Sequence, residues 1–143
     1  MKTISVLNDF SEIPGLRNCS ISADSGEKFY HKVLNKSFKE AYEEGEKLQV
    51  DIDYTDGYAS SFLDEAFGNL VFDFTLEIVK KYIEIISNEE PHWKKMIENE
   101  TFLQWEKRRK NNERPIVTEN HEAWYRLVDG NLKSEIWEQP TQL

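Results

Sequence analysis

The residues best placed to do chemistry are two adjacent hydroxyls, Ser60 and Ser61, framed by Asp56-Gly57-Tyr58 on one side and by Asp64-Glu65 on the other. A serine pair between a turn and an amphipathic run can cap a helix, receive a phosphoryl group or meet a partner's polar group. Turnover would need more: a base beside a nucleophile, a metal cluster, or two acids facing across a cleft. No spacing in the chain supplies one. Asp51 and Asp53 alternate with Val50 and Ile52 along one strand and so do not face each other across a cleft. His31, His92 and His121 lie apart, without ligand spacing. The single cysteine, Cys19, has no sequence neighbour to lower its pKa and reads as a small buried apolar group. The expectation is a protein that is not an enzyme, with no catalytic residue, metal or cofactor.

Two elements must position the serines. Val50 and Ile52 alternate with Asp51 and Asp53 in a short buried strand, and Asp56-Gly57 supplies a turn, with Asp56 stabilising it. Phe62, Leu63, Ala66, Phe67, Leu70 and Val71 then make one wide apolar helix face, which Phe72 to Thr75 should interrupt. With Asp64 three residues on, Ser61 is expected to cap this helix, leaving Ser60 just outside and more exposed. The free amides and the positive dipole end of the helix would point at the C-terminal edge of the strand, where ligands and partners of α/β sheets are received.

The run D-G-Y-x-S-S-F-L-D-E-A-F-G at residues 56–68, with S-G-E-x-F at residues 25–29 upstream, resembles the bacterial STAS-like domain family of unknown function, over roughly residues 1–114. The resemblance implies an α/β STAS-like fold, a small, mostly parallel sheet with helices packed on it. In STAS domains proper, such as anti-sigma factor antagonists, a serine at the matching helix start is phosphorylated by a partner related to histidine-kinase ATPases. Ser60 falls at that position, preceded by Ala59 where an aspartate is usual. The implied function is a signalling module that docks a partner through residues 53–71. Asp56, Gly57, Tyr58, Ser60, Ser61, Asp64 and Glu65 would form the contact surface and Ser60 the phospho-switch. The alternative is a small-ligand or nucleotide sensor using the helix start at residues 60–64.

The remaining segments fit that frame. Thr3 to Leu7 reads as a strand, Ile13-Pro14-Gly15 as a turn, and Leu16 to Ser22 as either a second strand or an irregular crossing. Asp24 with Glu27 resembles a capping box opening a helix that Gly45 ends, and this start either simply caps or lies beside the helix start at Ser60. Leu76 to Lys81 either extends the next strand or, as preferred, forms a connecting turn before it; Tyr82 to Ile86 is expected to be that strand, and Pro91 the first turn of another helix. Asn99 to Thr101 either kinks that helix or divides it, and Lys107 to Lys110 complements its C-terminus. Beyond Pro115 lies an appendage, residues 115–143. In it Asp129-Gly130 between β-capable runs signals a hairpin, with a helix ending near Gly130 as the alternative. Trp124 and Trp137 should fold back onto the domain or form an interface, so a dimer stays open.

At 143 residues the chain suits one core, at 1–114, plus this appendage. Its 18 basic against 27 acidic residues give a net charge of −9, which opposes binding to nucleic acid or anionic membrane. No apolar run approaches the roughly 20 residues of a membrane span, and the first residues lack the pattern of a signal peptide. A cytoplasmic protein is expected.

Overall fold

The computed structural model describes residues 1–138; the final five positions of the appendage, 139–143, lie outside the described residues. β1 (Lys2–Ser5) is shorter than the expected strand because Ser5 ends it. The Ser5 hydroxyl accepts the Asn8 N–H at 3.1 Å, so Val6 enters a single helical turn, α1 (Val6–Asp9), and is buried. Residues 16–22 cross irregularly, with the Ile21 and Ser22 amides both returning to the Asn18 carbonyl.

The next helix comes in three parts: α2 (Gly26–Phe29), a π-helical turn (Tyr30–Leu34) and α3 (Asn35–Glu44). Its cap is Ser25 in place of Asp24, the Ser25 hydroxyl accepting the Lys28 N–H at 3.1 Å. Gly45 closes it at φ 68°, a left-handed conformation that glycine adopts without strain. β2 (Leu48–Asp51) follows, with Leu48 and Val50 fully buried.

α4 (Ser60–Phe74) is the axis of the core. From Glu65 to Phe74 every residue is buried, which is how a helix surrounded by other elements reads. It therefore continues through Phe72 to Phe74, where a break was expected, because those side chains find burial on further faces and Asp73 finds the Tyr30 hydroxyl. Gly68 permits the closest approach: a Cβ there would lie 2.1 Å from the Trp105 indole. Thr75, at φ 75°, stops the helix and caps α5 (Leu76–Tyr82), which leads into β3 (Ile83–Ile86).

The last helical segment runs α6 (Pro91–Met96), a π-helical turn (Ile97–Thr101) and α7 (Phe102–Lys110). The kink expected at Asn99 to Thr101 is this wide turn. Its looser winding rotates the following residues, so Ile97, Phe102 and Trp105 all reach the core despite spacing that a regular helix would splay. Arg108 lies 3.9 Å over the Trp105 ring and Arg109 pairs with Glu106, so part of the basic run packs locally.

The three strands form one parallel sheet in the order β1-β2-β3, with Ile4, Val50 and Ile85 in register. β4 (Trp124–Val128) and β5 (Asn131–Glu135) form a separate antiparallel hairpin. Asp129 (φ 52°) and Gly130 (φ 80°) both take the left-handed conformation that a two-residue hairpin turn requires. The hairpin is docked on the domain. Asn35 bonds both backbone groups of Tyr125, at 2.8 and 2.9 Å, and Trp124 is buried against the His31 ring. Intramolecular packing thus accounts for Trp124, and the Trp137 indole donates to the Val117 carbonyl.

Candidate functional site

Because the strands are parallel, β1, β2 and β3 all deliver their C-terminal ends to one edge, and the loop of residues 52–59 lies there. Buried Asp53 anchors it, accepting the Asn88 and Glu89 amides at 3.0 Å each and joining the ends of β2 and β3. The Tyr58 hydroxyl donates to the Ile52 carbonyl at 2.7 Å, and burial pushes its pKa up. Asp56 donates its amide to the Glu12 carbonyl, tying in the loop from the other side, while its side chain is exposed. Gly57 takes φ 118°, which its turn requires. Tyr54, also at positive φ, is 66% exposed.

α4 starts two residues earlier than expected. Ser60 is its first residue and is exposed; Ser61 is half-buried inside the first turn, and the capping position belongs to Ala59. Ser61 is therefore not the cap, and no side chain of the described residues fills that role. The reason lies with Asp64, which would complete a capping pair but turns to Arg17, at 2.7 Å. Glu65 accepts from the same guanidinium at 3.0 Å and from Asn69 at 2.8 Å. Burial raises the Glu65 carboxyl against the opposing pull of Arg17 and Asn69. Both acids fall beyond the first turn, with Arg17 compensating their charge beside the serines.

The two helix starts do lie together. A Cβ on Gly26 would stand 2.3 Å from the Phe62 carbonyl oxygen, and the Phe29 and Phe62 rings stack at 5.8 Å. Only one start is open, since the Gly26 and Glu27 amides already donate to the Leu16 and Arg17 carbonyls. The hollow beside the loop, between Ile52, Tyr58 and Trp93, measures about 10 Å³, room for about one water. This edge presents a surface, not a pocket.

Residues 25–93 match the family described as STAS-like domain of unknown function (DUF4325), a narrower span than the 1–114 read from the sequence. This segment is similar to a STAS-like domain. It contains both serine-bearing helix starts and all of β2, α4 and β3. No curated protein and no solved structure matches the chain.

Flanking segments meet this STAS-like segment at a place the sequence does not advertise. Glu27, instead of returning to its own helix start, points inward and accepts from the Cys19 amide (3.1 Å), the Thr118 amide (3.0 Å), the Thr118 hydroxyl (2.6 Å) and Asn18 (3.3 Å). The fifth contact is His121 Nε2, at 2.7 Å. Burial alone would raise the Glu27 carboxyl; these hydrogen bonds outweigh it and hold the group well below the usual range. Around this hub Cys19, Glu119 and His121 come together, and burial pushes the Cys19 thiol up to about 12. Cys19 is half-buried, with its sulfur 3.2 Å from the Ser25 hydroxyl, so it is more polar in setting than a buried apolar group. A separation of about a hundred residues hid this cluster from any reading by local spacing.

A second buried site lies beneath the hairpin. Asp73 accepts from Tyr30 and stands 3.6 Å from Arg126; burial pushes its carboxyl up to about 7 against both partners. It lines a cavity of about 610 Å³ together with His31, Asn69, Arg114, Trp124 and Trp137. His31 Nδ1 has no hydrogen-bond partner among the described residues, and burial together with nearby His121 holds the ring down to about 3.

Proposed function

We propose that the chain is a non-catalytic signalling module that docks a protein partner through the strand, turn and helix of residues 53–71, with Ser60 as a phosphorylation switch. The observation that carries this is the exposed Ser60 hydroxyl at the first residue of a helix whose start no described side chain caps. A phosphate there would meet free amides and the positive dipole end, with Arg17 close enough to the second turn to offset Asp64 and Glu65. Apolar surface supports a macromolecular partner. Tyr54, Ile13 (66% exposed) and Leu16 (45%) lie on the loop and on the segment bonded to it. The STAS resemblance suggests a histidine-kinase-type ATPase as the partner. Affinity for such an ATPase, compared between wild type, S60D and S61D, tests the reading; binding indifferent to both changes argues against it.

A second reading, a small-ligand sensor, is favoured by the cavity under the hairpin rather than by residues 60–64. Two tryptophans line that cavity. Quenching of tryptophan fluorescence on titration with nucleotides would support it, and a flat response would not.

A further inference from the structure

Segments from opposite ends of the chain bring together Cys19, Glu119 and His121, each offering a ligand atom within 4.8 Å of the others. We propose that these three side chains bind one zinc ion, which clamps the segment at Thr118 to His121 onto the loop around Cys19. A thiolate, an imidazole and a carboxylate together suit zinc, whereas calcium and magnesium take oxygen alone. Tetrahedral zinc holds its ligand atoms roughly 3.3–3.8 Å apart. The cluster must therefore contract modestly, which exposed Glu119 can do by rotating its side chain.

The surroundings already orient the histidine for this role. Glu27 receives four other donors, so toward His121 it can only accept, and the imidazole proton sits on Nε2. In the neutral ring Nδ1 then carries the lone pair that a cation needs. A ligating histidine that gives its other N–H to a buried carboxylate is the usual support of protein zinc sites. Stacking on His31, with centroids 4.2 Å apart and planes within 9°, fixes the ring further. The same carboxylate holds the backbone of both ligand-bearing segments, through the Cys19 and Thr118 amides, and Ser20 N–H donates to the Thr118 hydroxyl at 3.1 Å. Glu27 is thus a positioning residue, with no coordination left for the ion. On binding, the Cys19 S–H bond breaks, its proton passes to solvent and a Zn–S bond forms; water takes the fourth position.

Titration of the reduced full chain with Co²⁺, a spectroscopic stand-in for zinc, tests this. The expected result is one ion per chain, a sulfur-to-cobalt charge-transfer band, the intense visible bands of four-coordinate cobalt, and displacement by Zn²⁺. Cys19→Ser should abolish the charge-transfer band and weaken Zn²⁺ binding at least about 100-fold, and Glu119→Gln about 10-fold. Saturating Zn²⁺ should raise the melting temperature of the wild type by about 5–10 °C and leave that of Cys19→Ser unmoved. Absence of the band in the wild type, one ion per two chains, or a Zn²⁺ affinity unchanged in both variants would overturn the assignment. Glu119 is exposed, so its variant is not expected to unfold the protein.

Discussion

Glu27 and the serines show how neighbours decide a residue's role. Asp24 and Glu27 have the spacing of a capping box, yet Ser25 takes the cap and frees the Glu27 carboxylate for donors almost a hundred residues away. Ser25→Ala should therefore cost about 1 kcal/mol, while Ser61→Ala should stay within about 0.5 kcal/mol, because Ser61 caps nothing. Urea titrations of both variants check the contrast; equal losses would restore Ser61 as a cap. His31 makes a pH-dependent contribution. Buried, it is held down to about 3 from 6.5, so as pH falls below 6.5 the unfolded chain binds a proton that the folded chain refuses, and stability drops toward pH 3. Asp73, pushed up from 3.8 to about 7, acts oppositely, lowering stability as pH rises through that window. Comparison with His31→Phe separates the two: the stability advantage of the wild type over this variant should shrink between pH 7 and pH 4. A gap that stays constant would contradict the burial of a neutral His31.

At the scale of elements, the amphipathic run from Phe62 to Val71 announces a helix, but its single apolar stripe understates its burial. Phe72, Asp73 and Phe74 look like a break because the stripe argument assumes one buried face, whereas α2 and α7 both pack on α4. The π-helical turn at Ile97 to Thr101 was legible only as a conflict between Trp93 and Ile97 on one side and Phe102 and Trp105 on the other. Gly68 carries no sequence signal of its own, since a glycine inside a helix ordinarily weakens it. Its function is the close passage of Trp105, and Gly68→Ala should cost about 3 kcal/mol, read as a lowered urea midpoint with an unchanged slope. A neutral or stabilising change would mean that α4 and α7 are not in this contact.

For the whole molecule, a small parallel sheet and the hairpin at Asp129-Gly130 could be read from period, turn residues and the family motif, while the order of the strands could not. The way the appendage docks could not. Its anchors are single polar residues, Glu27 and Asn35, whose partners lie beyond Thr118, and no periodicity encodes a contact between such distant segments. The acidic total opposes polyanions, and no helix among the described residues is long and apolar enough to cross a membrane. What remains prominent is the sheet edge, whose loop carries exposed Tyr54 and leads into exposed Ser60, with Arg17 paired to Asp64 and Glu65 further along α4. The most direct test is the affinity of a histidine-kinase-type ATPase from the same organism for wild type, S60D and Tyr54→Ala, measured side by side. The account predicts that S60D shifts that affinity at least about tenfold, or 1.4 kcal/mol, and that Tyr54→Ala weakens it. Equal affinity for all three chains would contradict it.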